Sequence, residues 1–178
     1  IIDEVGRRMK TITDRFLTIA KPGPLLQERC SIQTVLHGVL EFLANELMKN
    51  NITVATDFAP DLPEIRSDPW QLHEVFLNLV LNAIQAMAKA HGKGILTVTT
   101  RLADGWIEVR VQDDGPNITP EHRARLFEPF FTTKRREQGT GLGLWIVRST
   151  LMMLKGEVSY ESEVGKGSTF IVRLPVST

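Results

Sequence analysis

The chain has 178 residues, and its 21 Lys and Arg balance its 21 Asp and Glu, so bulk charge gives no drive toward nucleic acid or anionic lipid. A single cysteine, Cys30, excludes an internal disulfide and fits a reducing compartment. No apolar run approaches the roughly 20 residues of a membrane-spanning helix; the longest candidate, residues 75–87, is interrupted by Asn78, Asn82 and Gln85.

The length suits one well-buried domain with an appendage. No signal peptide pattern is visible, and the sequence opens in mid-helix pattern, as a piece of a larger protein would. Val5, Met9, Ile12, Phe16 and Ile19 follow a spacing of four, three, four and three, which predicts a helix with a narrow coiled-coil seam. Lys21-Pro22-Gly23-Pro24 stops it. Residues 1–21 therefore read as half of a helical hairpin, the alternative being a helix packed on the domain. Residues 22–31 read as a linker, and the globular domain as 32–178.

Within the domain, Ser31 can cap a helix running to about residue 48, with Ile32, Val35, Leu36, Val39, Leu40 and Leu43 as its buried face. Residues 52–58 read as a strand. Asp68-Pro69-Trp70-Gln71 is a helix start: Asp caps, Pro suits the first helical position, and Gln three residues after the cap can reach back. That helix is expected to run to about residue 90, before Gly92. Residues 94–101 and 106–113 read as a hairpin joined around Ala103-Asp104-Gly105. A helix over 141–154 and strands over 157–161 and 168–174 complete a two-layer α/β sandwich with one open face.

Three groups of residues carry chemistry. Glu74, Asn78 and Asn82 recur every four residues and form one polar stripe on an otherwise apolar helix. Buried amides without partners cost about 1–3 kcal/mol each. Their oxygens are hard ligands of the kind Mg²⁺ accepts beside water and phosphate; alternatively, the amides cap nearby backbone groups. Asp113 follows Ile107, Val109 and Val111 on one strand face, where a carboxylate needs a donor. The exocyclic amine of adenine is one such donor, and a turn-initiating Asp is the plainer reading. Gly115 permits close backbone approach. Gly139-Thr140-Gly141-Leu142-Gly143 opens a helix whose free N–H groups make an anion site. Lys134, Arg135 and Arg136, just upstream, can meet phosphate oxygens or form a solvated loop.

Taken in order, Asn78…Asn82, Asp113-x-Gly115, Leu126-Phe127-Glu128-Pro129-Phe130-Phe131, Gly139-Thr140-Gly141-Leu142-Gly143-Leu144 and Gly165-Lys166-Gly167-Ser168-Thr169-Phe170 resemble the N box, first glycine box, F box, second glycine box and final glycine box of the ATP-binding catalytic domain of sensor histidine kinases. The resemblance covers residues 25–176, and residues 1–21 resemble the end of the second dimerisation helix of that family.

The resemblance implies a Bergerat-type fold of the wider GHKL superfamily, a sandwich with a mixed sheet, and ATP and Mg²⁺ as ligands. It implies Asn82 as metal ligand and Asn78 as support for the metal or its waters. It implies Asp113 as acceptor from the adenine amine, with Thr169 assisting. Gly115, Lys134, Gly139, Thr140, Gly141, Leu142 and Gly143 would contact the nucleotide, and residues 130–139 would form a lid. Its implied partners are the protein's own dimerisation and phosphoacceptor domain, a second copy in a homodimer, and a response regulator. It implies a cytoplasmic site of action, in a parent that can be membrane-anchored.

Two places depart from the family pattern. The first glycine box usually ends in Gly where this chain has Asn117, and Asn tolerates positive φ well enough to preserve the turn. Many members carry Lys where this chain has Gln85, and the Lys134, Arg135 and Arg136 cluster can compensate. None of His37, His73, His91 and His122 matches the family's phosphoacceptor; only His73-Glu74 shares its dipeptide. The acceptor is thus expected outside this sequence. Two other readings stand beside the kinase: a GHKL-type ATPase, which would carry Glu where Asn78 stands, and a non-catalytic nucleotide-binding module.

Overall fold

A computed structural model describes residues 27–133 and 140–176; the expected seam helix, Lys134 and Gly139 lie outside them. The described chain begins with β1 (Glu28–Cys30), which pairs antiparallel with β3 (Ile65–Ser67), Cys30 facing Ile65. This strand falls within the stretch read as a linker. Ser31 then caps α1 (Ile32–Phe42), its Oγ accepting from the Thr34 N–H at 3.4 Å, and Ile32, Val35, Leu36 and Val39 are buried. The helix expected to reach residue 48 breaks at the buried Leu43, and α2 (Ala44–Lys49) follows. Asn45, a weak former of helix interiors, stands just past the break.

After β2 (Ile52–Phe58) comes the long α3 (Pro69–His91). Its start is fixed by Asp68, whose Oδ1 accepts from the N–H groups of Trp70 (3.0 Å) and Gln71 (3.2 Å). Gln71 does not reach back: its Oε1 is buried with no hydrogen-bond partner, and no capping box closes. Gly92 ends the helix at φ 64°, the left-handed cap that glycine adopts without strain. β4 (Gly94–Ala103) and β5 (Trp106–Asp113) form the hairpin. Its two-residue turn, Asp104 (φ 52°) and Gly105 (φ 78°), has positive φ at both places, as a type I′ turn requires. The short α4 (Pro120–Arg123), α5 (Gly143–Met153), β6 (Glu157–Glu163) and β7 (Gly167–Pro175) complete the described chain.

The main sheet has the order β2-β4-β5-β7-β6. β2 lies parallel to β4 and every other pair is antiparallel, so the sheet is mixed, as expected. α3 packs against α1, α5, β4 and β5. Ile107, Val109 and Val111 of β5 and their register partners Leu174, Val172 and Phe170 of β7 are buried beneath the helices. The opposite face is charged: Glu108 pairs with Arg110 and Arg173, and Arg110 also with Glu161. Since strand side chains alternate, Asp113 falls on the helix side, at the end of the apolar row.

Candidate functional site

The polar stripe of α3 meets the glycine run of α5. Asn78 is only 7% exposed. Its Nδ2 donates to the Glu74 carbonyl one turn back, at 2.7 Å. The amide nitrogen therefore serves its own helix, while the oxygen points to α5: a Cβ built on Gly143 would stand 3.1 Å from Asn78 Oδ1 and 3.9 Å from Asn82 Nδ2. Glycine at 143 lets the end of α5 settle onto both amides.

That end has no side-chain cap among the described residues. Leu142 occupies the cap position, has no side-chain group to cap with, and is itself buried. The first N–H groups of a helix find no partner within it, and this end of α5 lies beside the amides of α3. Thr140 Oγ1 accepts from the Leu142 N–H at 3.4 Å, which fixes the approach to the helix. Gly141 has φ 67°, and a Cβ there would strike the Phe130 backbone; Phe130 itself has φ 64°. The chain on either side of the undescribed residues is thus tightly apposed.

Asp113 lies farther along α3. It is 3% exposed, and its Oδ1 accepts from the Gly115 N–H at 3.0 Å. Burial pushes its carboxyl from 3.8 up to about 6, the neighbouring Asp114 adds to the rise, and the N–H groups of Gly115 and Ser168 oppose it. Near neutral pH this is a buried carboxylate that lacks enough donors. A Cβ on Gly115 would sit 3.3 Å from the backbone of Ala86 and Met87, one turn beyond Asn82. Gly167, at φ 80°, packs its α-carbon flush on the Asp113 carbonyl.

The register corrects one assignment. Thr169 pairs with the exposed Gln112, while Ser168 pairs with Asp113. Thr169 therefore lies on the sheet face away from Asp113, and Ser168 is the hydroxyl beside it. Ser168 Oγ donates to the Pro116 carbonyl at 3.3 Å and meets Ser162 Oγ at 3.3 Å. Asn117, read as needing positive φ, is not among the residues that have it; the turn makes no demand for glycine there. Asp114, passed over in the motif, accepts from the Ile95 N–H at 2.9 Å and ties the turn to β4.

The structure thus brings together Asn78, Asn82, Asp113, Gly115, Thr140, Gly141, Leu142 and Gly143 along one side of α3. Lys134 and Gly139 lie outside the described residues. Among the described residues no group of three or more His, Cys, Asp or Glu could hold a metal. A hard cation would depend on amide oxygens and on the oxygens of its ligand. The arrangement offers an anion site, amide oxygens beside it, and a buried acceptor for an amino group one to two turns away.

Residues 67–178 match the family described as histidine kinase-, DNA gyrase B- and HSP90-like ATPase. The chain belongs to this family. It is 34% identical to sporulation kinase E of Bacillus subtilis over 99% of its own length and 23% of that protein. It is 33% identical to the sensor histidine kinase ZraS of Escherichia coli K12, over 96% of its length and 36% of that protein. It is 35% identical to the sensory histidine kinase/phosphatase NtrB of Escherichia coli O157:H7, over 99% and 51%. The chain thus spans between about a quarter and a half of these relatives.

Among solved structures, full-length ShkA in complex with AMPPNP superimposes with a TM-score of 0.83 at 29% identity, covering 98% of this chain and 37% of that one. The nucleotide-free catalytic domain of histidine kinase ThkA gives 0.75 at 28% identity, covering 84% and 95%. The fold is that of histidine kinase catalytic domains. No helix among the described residues is long and apolar enough to cross a membrane.

Proposed function

We propose that this chain binds Mg-ATP and is the catalytic domain of a sensor histidine kinase. It would direct the γ-phosphoryl group to a histidine on a dimerisation domain, from which a response-regulator aspartate would take it. One observation carries the reading: four motifs far apart in sequence converge on one side of α3, with Gly143 against Asn78 and Asn82, and Gly115 and Gly167 against Asp113. The residues fit the nucleotide, because the two glycine cradles would be filled by any Cβ and the buried carboxylate lacks donors.

In this reading Asp113 accepts from the adenine amine, Gly115 admits the base close to α3, and Ser168 holds the Asp113 end of the sheet. The N–H groups at the start of α5 orient the phosphates, with Thr140 fixing that end and Lys134 as a further phosphate partner. Asn82 is the metal ligand, and Asn78 presents its oxygen to the same region while its nitrogen is tied to Glu74. Bound Mg²⁺ would supply neutralisation of phosphate charge. The chain's own contribution is positioning and electrostatic fit.

Asn78 also favours kinase over hydrolase, since an amide cannot act as general base toward water. The test is Asn82→Ala. It should abolish phosphotransfer to a separately supplied dimerisation domain while retaining much of the affinity for adenosine. Transfer at the native rate in Mg²⁺ would remove Asn82 from the metal role, and no Mg-ATP binding by the unaltered chain would remove the nucleotide reading itself.

A further inference from the structure

The two edges of the main sheet differ in how they meet solvent. β6 carries Glu157, Glu161 and Glu163 among its seven residues, and repeated charge discourages the addition of a further strand. It is also covered in part: Arg123 Nη2 donates to the Ser162 carbonyl at 3.0 Å, and the Ile118 N–H donates to Ser162 Oγ at 2.7 Å. β2, with the sequence Ile52-Thr53-Val54-Ala55-Thr56-Asp57-Phe58, has a single charged residue in the same length. That residue, Asp57, is already paired with Arg101 of β4.

The hydrogen bonds at the two ends of β2 show which backbone groups are left over. The Asn51 carbonyl accepts from the Gly94 N–H, and the Ala59 N–H donates to the Thr100 carbonyl. The odd-numbered residues therefore turn their backbone groups toward β4, and Ile52, Val54, Thr56 and Phe58, which alternate with them, turn theirs outward. Among the described residues none bonds to those outward groups. Unpaired N–H and C=O groups along a strand are a template for another strand.

We propose that β2 is a contact between two copies of this chain, joined antiparallel, edge to edge, about a two-fold axis at Ala55. A two-fold contact has to complement itself, and β2 does. In that register Ile52 meets Phe58 of the second copy and Val54 meets its Thr56, so each outward N–H and C=O finds a partner. A two-fold at Val54 would leave out Phe58, and one at Thr56 would leave out Ile52. On the open face of the sheet, Ala55 meets Ala55 and Asp57 meets Thr53, whose hydroxyl can donate to the carboxylate. No like charges are opposed. The 21 acidic and 21 basic residues balance, so net charge does not keep copies apart. The contact uses none of the nucleotide motifs and is separate from the seam of residues 1–21. A protein using both seam and edge assembles beyond a dimer.

The test is amide hydrogen exchange on the full 178-residue chain, unaltered and as Ala55→Lys and Ala55→Glu. Ala55 is exposed, so both variants should fold, and the inward amides of Thr53 and Asp57 report whether β2 stays on β4. In the unaltered chain the outward amides of Val54 and Thr56 should gain about tenfold protection as the concentration rises about a hundredfold. Each variant alone sets like charges against each other at the axis and should lose that gain. An equimolar mixture of the two sets Lys against Glu and should recover it. Outward amides that exchange equally at both concentrations would overturn the proposal. So would a gain untouched by both substitutions, or a mixture no better protected than either variant alone. Association through the seam of residues 1–21 would not follow the charge at position 55.

Discussion

Asp113 and Ser168 are register partners across β5 and β7, side by side on the helix-facing side of the sheet, while Thr169 faces the other way beside Gln112. In the proposed reading, the hydroxyl placed to support a nucleotide at Asp113 is therefore Ser168. Ser168→Ala removes a hydroxyl beside Asp113, together with its bonds to Pro116 and Ser162; one hydrogen bond from that hydroxyl to a bound nucleotide would be worth roughly 0.5–1.5 kcal/mol, so the variant should weaken Mg-ATP binding about two- to tenfold. Thr169→Ala should change affinity less than about twofold on the same scale. Calorimetric titration of both variants decides the assignment, and the reverse ranking would restore Thr169.

Asp113 makes stability and binding pull in opposite directions. Its folded carboxyl titrates at about 6 against an ordinary 3.8. The folded state thus holds the proton more tightly than the unfolded one. The resulting stability is present in full below about pH 4 and is lost as the pH rises through about 6, a change of about 3 kcal/mol at most. Asp113→Asn carries no charge to bury. Without nucleotide, the variant should be more stable than the unaltered chain at pH 7.5, and the gap should close toward pH 4. The same substitution should weaken ATP binding at pH 7.5 by roughly 10–150-fold, the worth of a charge-assisted hydrogen bond. Thermal melts across pH, paired with calorimetry, test both halves. A variant less stable at every pH would show that the carboxylate is held by donors stronger than Gly115 and Ser168.

Gly165 and Gly167 have nearly the same backbone, φ 79° and φ 80°, but different surroundings. A Cβ at Gly165 meets nothing within 4 Å, whereas one at Gly167 would run into the Asp113 carbonyl and crowd the Asp114 backbone. Gly165→Ala should cost about 1–2 kcal/mol from backbone strain alone and leave nucleotide affinity intact. Gly167→Ala should cost clearly more, because backbone rather than a flexible side chain has to move, and it should damage binding by displacing the Asp113-Gly115 turn. Urea denaturation and nucleotide titration of the pair separate strain from contact. Equal costs would mean that the turn yields freely.

Much of this was legible in the sequence where a local signal is strong. Asp68-Pro69 and Gly92 bracket α3 closely, and Asp104-Gly105 sets the hairpin, because caps and primed turns act through residues next to one another. The alternation of β5 placed Asp113 on the buried face. Alternation cannot be carried from β5 to β7 without the pairing register, and for that reason Thr169 was expected where Ser168 stands. β1 and β3 have three residues each, too few for a period to show. The backbone angle of Asn117 and the bond from Ile95 to Asp114 are set by tertiary fit, which composition and spacing do not reveal.

The histidines give the last prediction. His37 Nδ1 lies 2.8 Å from the Gln33 carbonyl of its own helix, and the ring sits edge-on to Phe58 at 5.1 Å. His73 is held between Trp70 and Phe42, on the same helix as Asn78 and Asn82. His91 is the final residue of α3, beyond the Ala86–Met87 contact with Gly115. His122 Nδ1 lies 3.0 Å from Thr119 Oγ1, with its ring against Phe131. A phosphoacceptor has to approach the γ-phosphate in line, and in the proposed reading a residue on the helix of Asn78 and Asn82 lacks the reach to do so. Incubation with γ-labelled ATP and Mg²⁺ should therefore leave residues 1–178 without acid-labile phosphate. A dimerisation domain from the parent protein, added separately, should become labelled. Label on any of the four histidines would place the acceptor within this chain and would require a second molecule to present it.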